Sequence, residues 1–107
     1  MNMPARTTSV FIVDDESLAR ERLKRLLQNE EAFSICGEAE NGEQAIERSL
    51  QLRPDIVILD IRMPGTDGLE VAAYLSKMKP APAIVFCTAY DEYAIKAFVY
   101  NAIADLL

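Results

Sequence analysis

Pro54-Asp55-Ile56-Val57-Ile58-Leu59-Asp60 is the stretch from which the rest of the chain is read. Four β-favouring apolar residues in unbroken succession suit a short strand buried on both faces, which belongs to a parallel sheet covered by helices. A helix-stopping proline precedes the run and a carboxylate, Asp60, ends it. Upstream, Val10-Phe11-Ile12-Val13 has the same character and ends on Asp14-Asp15, giving strand one. Ser17 is a candidate cap for a helix whose apolar positions Leu18, Leu23, Leu26 and Leu27 recur near helical spacing. Phe33 to Ala39 reads as a second strand, and Asn41-Gly42 turns the chain into a helix from about Glu43 to Leu52 that Pro54 closes. Downstream, Met63-Pro64-Gly65-Thr66-Asp67-Gly68 is a loop of turn formers, followed by a helix from Leu69 to Met78. Pro80 and Pro82 break that helix before a fourth strand, Ala83-Ile84-Val85-Phe86-Cys87, with Thr88 at its end. From Asp91 the pattern is helical, with Ala94, Ala97, Phe98 and Ile103 on the apolar side. Strands alternating with helices throughout predict an α/β fold with a doubly wound parallel sheet.

Composition narrows the function. A chain of 107 residues accommodates one domain, and its 50% hydrophobic content suffices for a single core. A net charge of −6 argues against direct nucleic-acid binding by this segment, since phosphate backbones reward clustered Lys and Arg. Arg20, Arg22, Lys24 and Arg25 are read as the solvated face of a helix. Cys36 and Cys87 lie in apolar stretches with no CxxC pattern and are expected to be buried free thiols. The absence of histidine removes imidazole-based zinc sites and histidine catalysis. Met1 to Ser9 is polar, unlike a signal peptide, and no run approaches the ~20 apolar residues of a membrane span. A soluble, cytoplasmic protein is the expectation.

The polar residues at the strand ends carry the chemistry. In a parallel sheet with right-handed crossovers, the C-terminal ends of the strands open on one edge, where ligands bind near the topological switch point. Asp14 and Asp15 end strand one, Asp60 ends strand three and Thr88 ends strand four, so all are expected on that edge. Each alone has a plainer reading: an Asp pair after a strand is often a helix-capping cluster, and a strand-end Thr is usually a β-former. Their combination in order on one edge favours a site. Three converging carboxylates repel one another unless a hard divalent cation joins them, and Mg2+ suits oxygen ligands that also meet a phosphate. Asp60 could then attack phosphorus to give an aspartyl phosphate, with the Thr88 hydroxyl donating to the phosphoryl oxygens.

Val10-Phe11-Ile12-Val13-Asp14-Asp15-Glu16, taken with Pro54 to Asp60 and Ile61-Arg62-Met63-Pro64-Gly65-Thr66-Asp67-Gly68, resembles the bacterial response-regulator receiver domain. The resemblance runs from about Val10 to the last residue and implies a flavodoxin-like (βα)5 fold with strand order 2-1-3-4-5. It implies Asp60 as the phosphoacceptor, Asp14 and Asp15 as the acidic pair for Mg2+, and the backbone carbonyl of Arg62 as a further ligand. Thr88, with Ala89 after it, resembles the switch and phosphate-binding element. A sensor histidine kinase is the implied partner and no turnover enzyme is implied. Phe86 to Phe98 looks like the LytR/AlgR group, whose receivers are joined to LytTR-type DNA-binding domains in transcription regulation.

Residues 1–107 are accordingly expected to form one receiver domain, truncated near the fifth strand, lacking the last helix and without its output domain. Family members usually follow the fifth strand with a Lys-Pro pair, and Leu107 stands just before that place; Asp105 occupies the position of the aromatic switch residue. Ala102 to Leu107 has better helix than strand propensity, so it is expected to extend the preceding helix. Apolar sheet surface uncovered without the last helix is expected to favour a homodimer or a swapped arrangement. Two rival readings share this fold. In one, the acidic edge is an interaction surface that is no longer phosphorylated. In the other, the chain is an aspartate-dependent phosphatase, which generally carries a second Asp two residues after the nucleophile, where Arg62 stands.

Overall fold

A computed structural model describes residues 7–87; the expectations for Thr88, Ala89 and everything after them, the tail included, lie outside the described residues. Four strands, β1 (Thr8–Val13), β2 (Phe33–Ala39), β3 (Ile56–Leu59) and β4 (Ala83–Phe86), form a parallel sheet in the order β2-β1-β3-β4. The helices between them are α1 (Ser17–Gln28), α2 (Gly42–Leu52) and α3 (Gly68–Leu75).

Side chains alternate across the pleat, so each central strand feeds two cores. Val10, Ile12, Ile56 and Ile58 face Leu23 and Leu27 of α1 on one side. Phe11, Val13, Val57 and Leu59 face Ala45 of α2 and Val71 and Leu75 of α3 on the other. All four residues of β3 are fully buried, which is why that run reads as continuously apolar. One irregularity occurs in β2: Val10 pairs with Ile35 but Phe11 pairs with Gly37, so Cys36 is an extra residue bulging from the ladder. A Cβ on Gly37 would lie 2.9 Å from Leu52, so the bulge brings the strand close to the end of α2.

Helix ends follow local chemistry. Asn41 caps α2 through its side chain, which accepts from the Gln44 amide at 2.8 Å, and Asp67 caps α3 by accepting from Glu70 at 2.9 Å. Pro54 closes α2 as expected, with Arg53 before it in the left-handed region at φ 47°. Ser17 does not cap α1: it is the first helical residue, and Glu16 holds the cap position without a side-chain bond. Leu18 is 72% exposed and Ala19 is buried in its stead, because the helix turns its core-facing stripe through Ala19, Leu23 and Leu27. Cys87 is a buried free thiol, but Cys36, on the bulge, is only partly covered. Among the described residues no helix is long and apolar enough to cross a membrane.

Candidate functional site

Strand β1 has neighbours β2 and β3 on its two sides, so the chain reverses its direction of winding there and the crevice opens beyond the ends of β1 and β3. The ladder continues one residue past each strand. The Asp14 amide donates to the Ala39 carbonyl at 3.1 Å, and the Asp60 amide donates to the Val13 carbonyl at 3.0 Å. These bonds place the two aspartates side by side. Carboxylate oxygens of Asp14, Asp15 and Asp60 all lie within 4.8 Å of one another, a spacing that one cation can span. Asp14 is buried, Asp60 half-buried and Asp15 exposed, so the cluster runs from the interior to solvent.

A common device orients the two strand-end acids. Asp14 Oδ1 accepts the Glu16 amide at 2.9 Å, and Asp60 Oδ1 accepts the Arg62 amide at 3.1 Å. In both cases the side chain bonds the backbone two residues on, which fixes its rotamer and starts the turn out of the strand. Beyond Arg62 the loop swings through Gly65, at φ 84°, and returns at Gly68, whose amide donates to the Ile61 carbonyl at 2.8 Å. A Cβ on Gly68 would lie 2.2 Å from the Asp60 carbonyl oxygen. Only a glycine permits the start of α3 to press against the backbone of the acidic cluster.

The electrostatics are those of a site short of positive charge. Burial, opposed by the Glu16 amide and assisted by Asp60 and Asp15, pushes the Asp14 carboxyl up to about 6. Asp60 is likewise raised, chiefly by burial and further by Asp15 and Glu16, while the Arg62 amide acts the other way. Cys87 lies behind them; burial and the charges of Asp14 and Asp60 push its thiol up.

The sequence model of the response regulator receiver domain matches residues 10–106. The chain belongs to that family. This receiver domain is 51% identical over 100 residues to a positive alginate biosynthesis regulatory protein of Pseudomonas aeruginosa, covering 92% of the chain and 40% of the relative. It is 51% identical over 98 residues to the sensory transduction protein LytT of Bacillus cereus, again covering 92% and 40%. Thus it spans about two fifths of the length of the curated relatives it matches. Among solved structures, the signal receiver domain of the response regulator NarL from Mycobacterium tuberculosis superposes with a TM-score of 0.72 at 36% identity, covering 92% of this chain and 77% of that one.

One set of contacts beside the acidic cluster was not legible in the sequence. Arg20 was expected on a solvated face, yet its side chain is only 13% exposed: Nη1 donates to the Asp14 carbonyl at 2.7 Å and Nε to Glu38 Oε1 at 2.9 Å. Lys24 Nζ reaches Glu38 Oε2 at 2.7 Å and Glu21 at 2.7 Å. Hydrogen bonds from Lys24 and then Arg20 hold the Glu38 carboxyl below the usual range, with burial acting against them. Arg22 and Arg25 are exposed, as expected. No spacing rule links Arg20 to Glu38, since they belong to different elements and meet only when α1 packs beside β2.

Proposed function

We propose that residues 1–107 are the receiver part of a longer two-component response regulator that accepts a phosphoryl group on Asp60 from a sensor histidine kinase. The observation that carries this reading is the meeting of three carboxylates within 4.8 Å at the switch point of the sheet. Such a cluster suits Mg2+, held by Asp14, Asp15 and Asp60 with the backbone carbonyl of Arg62 as a further ligand. When bound, Mg2+ neutralises charge on the transferring group and on the acids around it.

The remaining chemistry belongs to the chain's own residues. The Arg62 amide holds Asp60 Oδ1, which orients the carboxylate for attack. A carboxylate oxygen of Asp60 forms a bond to phosphorus as the bond from phosphorus to the kinase's phosphorylated imidazole breaks and the imidazole departs. The product is an acyl phosphate, so attack by water slowly returns the Asp60 carboxylate and inorganic phosphate; repeated turnover is not the function. Thr88 and Ala89 receive the phosphoryl oxygens and relay the change. The names of the relatives, one an alginate biosynthesis regulator and another a sensory transduction protein, support a regulatory role, and the resemblance of Phe86 to Phe98 to the LytR/AlgR group extends that reading to control of transcription in the cytoplasm through a LytTR-type DNA-binding output domain. With a charge of −6, this segment leaves DNA contact to that domain and meets proteins instead.

Incubation with acetyl phosphate and Mg2+, followed by intact-mass measurement, should add one phosphoryl group. Asp60→Asn and chelation with EDTA should each prevent it. Modification that persists in Asp60→Asn would refute the assignment of the acceptor.

A further inference from the structure

We propose that Arg20 is a positioning residue for the acidic cluster, bridging the backbone carbonyl of Asp14 to the Glu38 carboxylate and thereby fixing the end of β1. This inference rests on reading the cluster as a Mg2+ and phosphoryl site.

Asp14 is the most buried of the three acids, and its carboxylate stands wherever the backbone at the end of β1 puts it. That backbone leaves the sheet at this residue: the Asp14 amide makes the last ladder bond, to Ala39, and the chain then turns into α1. The carbonyl that follows is taken by Arg20 Nη1 at 2.7 Å. Nε of the same guanidinium meets Glu38, which pairs in register with Ile12 on the neighbouring strand. One planar group therefore ties the first turns of α1, the end of β1 and the end of β2 together. Lys24, one turn further along α1, takes the other oxygen of Glu38 and fixes the carboxylate that orients Arg20.

Arg20 could have served as a counter-ion to the cluster, but its charge is directed elsewhere. Glu38 is its ion-pair partner, and its contact with Asp14 is to the carbonyl, not the carboxylate. Burial, the Glu16 amide and the neighbouring acids account for the state of the Asp14 carboxyl. The role is thus geometric, and it requires two donors in a rigid fork. A lysine offers a single ammonium on a flexible stem and can serve one partner well but not both.

The test compares the wild-type chain with Arg20→Met, Arg20→Lys and Arg25→Met, the last removing an exposed arginine of the same helix. Isothermal titration gives the Mg2+ dissociation constant, and labelling by acetyl phosphate over a range of Mg2+ gives a half-saturating concentration and a plateau rate. Loss of an orienting partner typically weakens metal binding by about tenfold or more. We expect Arg20→Met to raise both the dissociation constant and the half-saturating Mg2+ about tenfold, with a plateau rate within about twofold of wild type. Arg20→Lys should fall between the two, and Arg25→Met should match wild type. If Arg20→Met does not fold, Arg20→Lys decides: weakened Mg2+ binding supports the role and unchanged binding overturns it. A lower plateau rate with unchanged Mg2+ affinity also overturns it, because Arg20 would then act on the phosphodonor. A wild-type chain that takes neither Mg2+ nor a phosphoryl group overturns the proposed function itself, and this role with it.

Discussion

Replacing Asp14 with Asn should stabilise the Mg2+-free protein while abolishing its response to the metal. The carboxyl rises from an ordinary 3.8 to about 6 through burial and through Asp60 and Asp15. At about 1.36 kcal/mol per tenfold change, that corresponds to about 3 kcal/mol opposing the ionised form in the folded chain. The sign follows from the raised value. The folded state holds the proton more tightly than the unfolded one, so the contribution is fully present below about 3.8 and is lost as pH rises through about 6. Asn keeps an oxygen to accept the Glu16 amide and carries no charge, so it removes the repulsion without breaking that bond. With screening by solvent and counter-ions, the expected gain at pH 7.5 in EDTA and low salt is about 1–3 kcal/mol. For a chain of this size each kcal/mol moves the melting temperature by about 4–8 °C. Thermal unfolding followed by far-UV circular dichroism, with EDTA and then with millimolar Mg2+, reads the effect. The wild type should be raised by Mg2+ and Asp14→Asn should not. Their difference in EDTA should grow between pH 4 and pH 6.5 and level off above. An Asp14→Asn chain less stable than wild type in EDTA, or one that Mg2+ stabilises equally, would refute the reasoning.

Gly68→Ala forces a Cβ to 2.2 Å from the Asp60 carbonyl oxygen and 2.7 Å from the Ile61 Cα, both backbone atoms. It should cost at least about 2 kcal/mol in urea unfolding and lower the labelling of Asp60, and a silent substitution would show that the loop yields freely. Leu59→Ala opens a cavity beneath Asp60 at a residue with no exposure and should cost about 2–5 kcal/mol by the same assay. Burial pushes both thiols up, so exposure sets their difference: buried Cys87 should resist Ellman's reagent at pH 8 until the chain is unfolded, whereas partly covered Cys36 should react measurably in the native state; rapid native reaction of both, resolved by peptide mapping, would contradict the packing.

The strands and the acids were legible in the sequence because their signals are local. A strand buried on both faces must be apolar throughout, as Ile56 to Leu59 are, and the residue that ends it at a crevice is free to be polar, as Asp14 and Asp60 are. Asn41 and Pro54 likewise mark helix ends through local chemistry, the first by its side-chain oxygen and the second by its ring. Helix faces were less legible: Leu18 is as apolar as Leu23, but only the way α1 packs against the sheet decides that Ala19 goes in and Leu18 out. What the tertiary structure alone decided is which distant groups meet. The bulge at Cys36, the pressing of Gly68 on the Asp60 carbonyl, and the bridge from Arg20 to Asp14 and Glu38 join residues from separate elements. A charged side chain costs little to leave in water, so nothing in its neighbours along the chain tells whether it will stay there. For Arg20 that is settled only when α1 lies against the ends of β1 and β2 and an otherwise open carbonyl comes within reach.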